Sequence, residues 1–105
     1  MTTAALIDMP YRVQRDADDL TIILSADAAD HPALPRDSAA DLIEAGTLQV
    51  VVDAAAVKEA NSVLICWLVR LATSVGPGRL ILRNLAPRAK AMFLRMRLDQ
   101  VMILA

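Results

Sequence analysis

At 105 residues the chain is long enough for one domain with a real core and too short for two, and its 56% hydrophobic content, with only Tyr11, Trp67 and Phe93 aromatic, calls for an aliphatic core. A net charge of −1 exerts no overall pull toward nucleic acid. The single cysteine excludes an internal disulfide, and no apolar run approaches the roughly 18 residues needed to span a bilayer. No signal-peptide pattern opens the sequence, so the expected compartment is the cytoplasm, without direct membrane insertion.

The charge is unevenly spread. Residues 1–53 hold ten acids and three bases, net −7, and residues 54–105 hold two acids and eight bases, net +6. This fits acidic and basic faces lying side by side in one fold, or a basic partner-facing surface on the C-terminal half. The bases lack interleaved aromatics, which argues against a nucleic-acid site.

In chain order, residues 1–10 form a ragged start closed by Pro10. Tyr11 to Gln14 alternates as a short edge strand, with Tyr11 and Val13 on one face, and a polar turn at Asp16 to Asp19 leads into the β-branched run Leu20 to Leu24, its hairpin partner. The segment Ala26 to Pro35, with two prolines, reads as an exposed loop, and its lone His31 as a surface residue, not a metal ligand. From Ser38 to Gly46 the pattern is a short amphipathic helix, capped by Ser38 with Asp41 three residues on, with Leu42 and Ile43 facing inward.

The centre of the sequence runs from Leu48 to Leu71. Leu48 to Val52 has the apolar character of a strand buried on both faces over most of its length, closed by Asp53 at the carboxyl end where functional loops of α/β sheets gather. Val57 is a buried anchor, and Asn61 or Ser62 caps the next helix, residues 62–74. At about 100° per residue, Leu64, Leu68, Leu71 and Ala72 fall in one core-facing arc, with Trp67 at its border. Arg70, Thr73 and Ser62 lie opposite, yet Val63, Cys66 and Val69 share or flank that outer side. A face this apolar is either covered by another element of the domain or is a docking surface, and a chain this short has few elements left to cover it.

After a Gly76-Pro77-Gly78 turn, Arg79 to Asn84 reads as an inner strand, and Pro87 takes the first position of a further helix. Ala89, Met92, Phe93 and Met96 form one stripe of it. Ala91, Leu94 and Leu98 form another, set among Arg88, Lys90, Arg95 and Arg97, so that one stripe is core and Ala91 and Leu94 are exposed apolar surface in a basic setting. Val101 to Leu104 is a terminal strand. The expected fold is thus α/β, one domain with the order β-β-α-β-α-β-α-β: a four- to five-stranded mixed sheet flanked by three helices, with right-handed crossovers laying the last two on one face.

This order resembles the STAS family, the fold of anti-sigma-factor antagonists and of related modules in transporters. The resemblance covers residues 11–104. It rests on the strand VVVDAAAV before a Ser-capped helix, and on GRLILRNLAPRAKAMFLRMRLDQVMIL, which follows the family's strand, polar residue shortly before a proline, helix, Leu-Asp and final strand. Members typically carry Asp-Ser-Ser/Thr-Gly at the loop-to-helix junction, and a kinase commonly phosphorylates the second hydroxyl residue. Here the junction reads Ala60-Asn61-Ser62-Val63. Counting without a gap from Asp53 puts Val63 at the phosphorylation position; matching Leu64, Trp67, Leu68 and Leu71 to the family's apolar positions puts Ser62 there. The second frame is preferred because it buries the larger Leu64 and Leu71 in place of Ile65 and Ala72.

The resemblance implies a non-catalytic cytoplasmic module that docks a kinase-like anti-sigma partner through Asn61, Ser62, Val63, Cys66 and Arg70 and the neighbouring Arg88, Lys90, Ala91 and Leu94. The alternative it implies is the STAS subunit of an ABC transporter of the phospholipid-trafficking type, bound to its ATPase subunit. Burial of the exposed apolar face in a homodimer is a further expectation, and so is self-association favoured by the lack of the C-terminal helix that many members carry after the last strand. An enzyme is not expected: no Gly-rich phosphate loop or carboxylate–histidine pair occurs, Cys66 has no activating histidine at helical spacing, and no cofactor is called for.

Overall fold

The computed structural model describes residues 10–36, 43, 47–76 and 78–105. The β-branched runs become strands. β1 (Tyr11–Asp16) and β2 (Asp19–Leu24) form an antiparallel hairpin in register from Tyr11↔Leu24 to Asp16↔Asp19. Its two-residue turn holds Ala17 at φ 53°, a left-handed conformation that glycine adopts at lower cost. β3 (Gln49–Asp53), β4 (Leu80–Arg83) and β5 (Ile103–Leu104) add in parallel to β2, giving one mixed sheet in the order β1-β2-β3-β4-β5. Two α-helices are described, α1 (Ser62–Val75) after β3 and α2 (Pro87–Arg95) after β4, with Pro87 opening α2 as expected. The predicted helix over 38–46 lies outside the described residues, apart from Ile43, which packs partly buried against the core.

Period-2 alternation decides where the core sits. Leu20, Ile22, Val50, Val52, Leu80 and Leu82 are fully buried, and pairing places them on one face of the sheet. Leu64, Trp67, Leu68 and Leu71 of α1 and Ala89 and Phe93 of α2 close over that face in a single cluster, so both helices lie on the same side, as the crossover argument required. Val57 is buried at the foot of the β3–α1 connection, again as expected.

Several expectations are corrected. The β3 strand is buried on one face only: Val50 and Val52 are inside, whereas Gln49, Val51 and Asp53 are half-buried, because both described helices lie on the same side. The strand is shifted by one residue, and Leu48 is 58% exposed. Trp67 is not at a border but 1% exposed, since the ring of Tyr11 on the edge strand packs against it at 5.4 Å between centroids and a 37° tilt. Met96 leaves the core stripe and is 52% exposed, because α2 stops at Arg95 and Arg97 turns left-handed at φ 59°. Val13 shares a face with Tyr11 but is 40% exposed, and the last strand begins only at Ile103, after a 3-10 turn at Leu98–Gln100.

The segment 26–35 is not an exposed loop. Two 3-10 turns, Ala28–Asp30 and Leu34–Arg36, bring Ala28, Ala29 and Leu34 into the core, where small and aliphatic side chains between polar ones can be buried without a regular element. His31 is buried with them, not on the surface. Its Nδ1 accepts the Ala33 N–H at 3.1 Å, which offsets the cost of taking a polar ring out of water.

Candidate protein-docking site

The start of α1 is fixed by one side chain. Asn61 stands in extended conformation before the helix, its Oδ1 accepts the Leu64 N–H at 3.0 Å, and its backbone carbonyl accepts the Ile65 N–H. The other half of the amide points back into the chain: Nδ2 donates to the Ala29 carbonyl at 2.8 Å and to Asp30 Oδ1 at 3.3 Å. Of the two candidate caps, Asn61 does the capping and Ser62 is the first helical residue. Half-buried and engaged on both sides, Asn61 positions the site and presents little free hydrogen-bonding capacity to a partner. At the far end Gly76, at φ 108°, donates its N–H to the Ala72 carbonyl and lets the chain leave the helix.

The outer side of α1 carries a shallow hollow of about 550 Å³ lined by Pro35, Ser62, Val63, Ile65, Cys66, Val69 and Arg70. Ser62, Cys66 and Arg70 are exposed, and Val63, Ile65 and Val69 are half-buried, so the floor is aliphatic and the rim carries a hydroxyl, a thiol and a guanidinium. Four residues expected at a partner surface are therefore brought together. Pro35 and Ile65 were missed by the sequence reading. Ile65 stands three residues after Ser62 and four before Val69, a spacing that could have found it; Pro35 could not be placed until its turn was known to pack against α1.

Arg88 lies elsewhere. It lines a smaller hollow of about 280 Å³ with Lys58, Glu59, Ala60, Ala89 and Met92, beside the loop that leads into α1. Lys90 is half-buried, Ala91 is exposed and Leu94 is 47% exposed; these three line neither hollow. The basic α2 surface thus adjoins the approach to α1 through residues 58–60.

At the carboxyl ends of the strands Asp53 is tied down. One carboxylate oxygen accepts the Ala55 N–H at 2.9 Å and the Asn84 Nδ2 at 3.1 Å. Those two donors, in that order, hold the Asp53 carboxyl below the ordinary carboxylate value against a small opposing effect of burial, with the charge of Arg83 adding to them. Asn84 makes this contact from φ 61°, a left-handed position that asparagine tolerates better than most residues. Asp53 thus joins the end of β3 to the end of β4. In the same way the Ser25 hydroxyl, donating at 2.7 Å, is the main cause holding exposed Asp27 below its usual value.

Among the described residues no group of three or more His, Cys, Asp or Glu side chains could hold a metal ion, and no helix is long and apolar enough to cross a membrane. The chain matches no protein-family model, and no curated protein is significantly similar to it. What the geometry defines is an α/β domain with a five-stranded mixed sheet and an apolar hollow on the outer side of one helix.

Proposed function

We propose that this chain is a non-catalytic, STAS-like protein-interaction module that docks a kinase-like anti-sigma partner on the head and outer face of α1, with the basic surface of α2 as the flank. The observation that carries this reading is the hollow in which Val63, Ile65, Cys66 and Val69 lie open with Ser62 at their head. An aliphatic floor with a polar rim is the anatomy of a small protein interface. The neighbouring Arg88, Lys90 and Arg95 supply the charge that steers an acidic partner.

The burial of Leu64, Trp67, Leu68 and Leu71 supports the frame that aligns Ser62 with the family's phosphorylation position. A phosphate there meets the free N–H groups of the helix start, and it also sets nearly two negative charges at the head of the apolar hollow, where a partner must desolvate them. Ser62 is the natural place for a docking switch.

A second reading, the ATPase-binding STAS subunit of an ABC transporter, is favoured by one feature: the junction Ala60-Asn61-Ser62-Val63 lacks the aspartate and the glycine of the family's Asp-Ser-Ser/Thr-Gly motif, and that role needs no phosphorylation. One experiment serves both. The tagged chain is used to capture partners, which are identified by mass spectrometry, alongside a variant combining Val63→Asp, Arg88→Glu and Lys90→Glu. A serine-kinase-like protein lost in the variant supports the first reading, a nucleotide-binding transporter subunit lost in the variant supports the second, and binding undiminished by the three changes sinks the site.

A further inference from the structure

The sheet has a second face. On it the pairing register aligns Gln14, Thr21, Val51, Ile81 and Ile103 in one row across all five strands. Val51 and Ile81 are half-buried and Ile103 is 44% exposed; none of them joins the core, which the two described helices cover from the opposite side. Sheets with parallel strands are ordinarily covered on both faces, because their side chains are apolar on both. Among the described residues nothing supplies that cover.

We infer that two copies of this chain pair through this face, sheet against sheet, about a two-fold axis that lies in the interface and runs across the strands. Charged residues of the β1–β2 hairpin on either side of the row argue for that occupant. One step toward the carboxyl end of β2, the same face carries Arg12 beside Ile23; one step the other way, it carries Asp16 beside Asp19. All three charged residues are exposed. A two-fold axis across the strands lays the central row on itself and turns the second copy end for end, so that Arg12 of each copy faces Asp16 and Asp19 of the other. Over the β1–β2 hairpin the pattern is complementary to itself, the requirement for a closed, isologous pair, while Asp53 and Arg83, in the same row as Arg12 and Ile23, lie side by side within each copy. It also keeps the strand directions of the two sheets near alignment, a common packing of two sheets.

The size of the face sets the strength. Five strands about 4.8 Å apart, with three facing residues in each of the first three strands, two in β4 and one in β5, cover a patch of at most about 20 by 13 Å, so the area buried by two copies stays below the roughly 1,200 Å² at which stable specific interfaces begin. The dimer is therefore concentration-dependent, and it leaves the outer side of α1, on the other side of the sheet, open to a partner. It does not rest on the reading of that hollow.

Sedimentation of the full chain in reducing buffer, which keeps exposed Cys66 from cross-linking, tests it. From micromolar to millimolar concentration the mass should rise from 11.3 kDa toward twice that value. Ile81→Asp should keep it at one chain. Because Ile81→Asp could disturb the sheet, a second pair of variants uses exposed residues: Arg12→Asp should raise the dissociation constant about tenfold, and Arg12→Asp with Asp16→Arg should restore it. A chain that stays monomeric throughout overturns the inference. So does a dimer indifferent to Arg12→Asp and Ile81→Asp but broken by Val63→Asp, or a monomer in which Ile81→Asp abolishes capture of another protein.

Discussion

Asn61 and Ala29, 32 positions apart in sequence, are joined by a 2.8 Å hydrogen bond from the Asn61 amide to the Ala29 carbonyl. The same side chain caps α1, so one residue fixes both the start of the helix and the turn that brings Ala28, Ala29 and Leu34 into the core. The wall of the hollow at Pro35 belongs to the second 3-10 turn, Leu34–Arg36, beside Leu34.

Asn61→Ala removes the cap and leaves the part-buried Ala29 carbonyl without this donor. The expected loss is about 2–3 kcal/mol, roughly one for the cap and the remainder for the carbonyl, read as a lower urea midpoint at unchanged slope. Asn61→Asp separates the two roles. It keeps an acceptor for the Leu64 N–H but brings a carboxylate up to Asp30 and loses the donor to Ala29, so it should fall between wild type and alanine. A variant as stable as wild type would show that the turn does not depend on this bond.

Tyr11 and Trp67 form the contact that ties the edge strand to α1. A double-mutant cycle with Tyr11→Leu and Trp67→Phe should give a coupling of about 0.5–1.5 kcal/mol, the range for aromatic pairs beyond their area burial. Trp67 is the only tryptophan and is fully buried, so its fluorescence should shift to the red in the same transition that far-UV circular dichroism follows. Coupling near zero would mean that the two rings are merely neighbours.

The strands and both described helices were legible because their signals are local. LTIIL and QVVVD carry β-branched runs, and Pro87 and Gly76 mark a helix start and a helix end. The face of α1 was legible for the same reason, from the spacing of Leu64, Leu68 and Leu71. What escaped depends on contacts distant in sequence. His31 reads as a surface residue until its neighbours are seen to fold under α1, and Trp67 reads as a border residue until Tyr11 packs on it. Val51 reads as doubly buried because an apolar run does not say how many faces of the sheet are covered. For the site, Ser62, Val63, Cys66 and Arg70 share one helix and so came together on a wheel, whereas the position of Arg88 relative to them needed the loop 58–60.

The tie between Asp53 and Asn84 predicts a small acid dependence. The folded-state value of Asp53 is lowered, so its contribution is present above the unfolded value, about 3.9, and is lost as the pH falls through the folded one. Because Asp53 is near the surface, solvent screening limits the contribution to below about 1 kcal/mol. Asp53→Asn should therefore lower stability slightly at pH 7, with the difference from wild type shrinking below about pH 4. Asn84→Gly, which keeps the left-handed backbone but removes the amide donor, should reduce the same difference. A difference that grows on acidification would reverse the sign and rule out this account.

Ser62 offers the clearest separation of folding from docking. As the exposed first residue of α1, it can change to alanine within about 0.5 kcal/mol of wild-type stability, and that variant should bind the partner at least as well, since the hollow becomes less polar. Ser62→Asp acts in opposite directions on the two properties. A carboxylate in the first turn interacts favourably with the helix N-terminus by about 0.3–1 kcal/mol and should leave the melting temperature unchanged or slightly raised. The same charge must lose its water when a partner covers Val63 and Cys66, which costs more than the helix end returns. Capture of the partner should thus fall while stability holds. Calorimetric melting and a binding titration on the same three proteins check both halves, and a Ser62→Asp variant that binds as well as wild type would move the partner away from the head of α1.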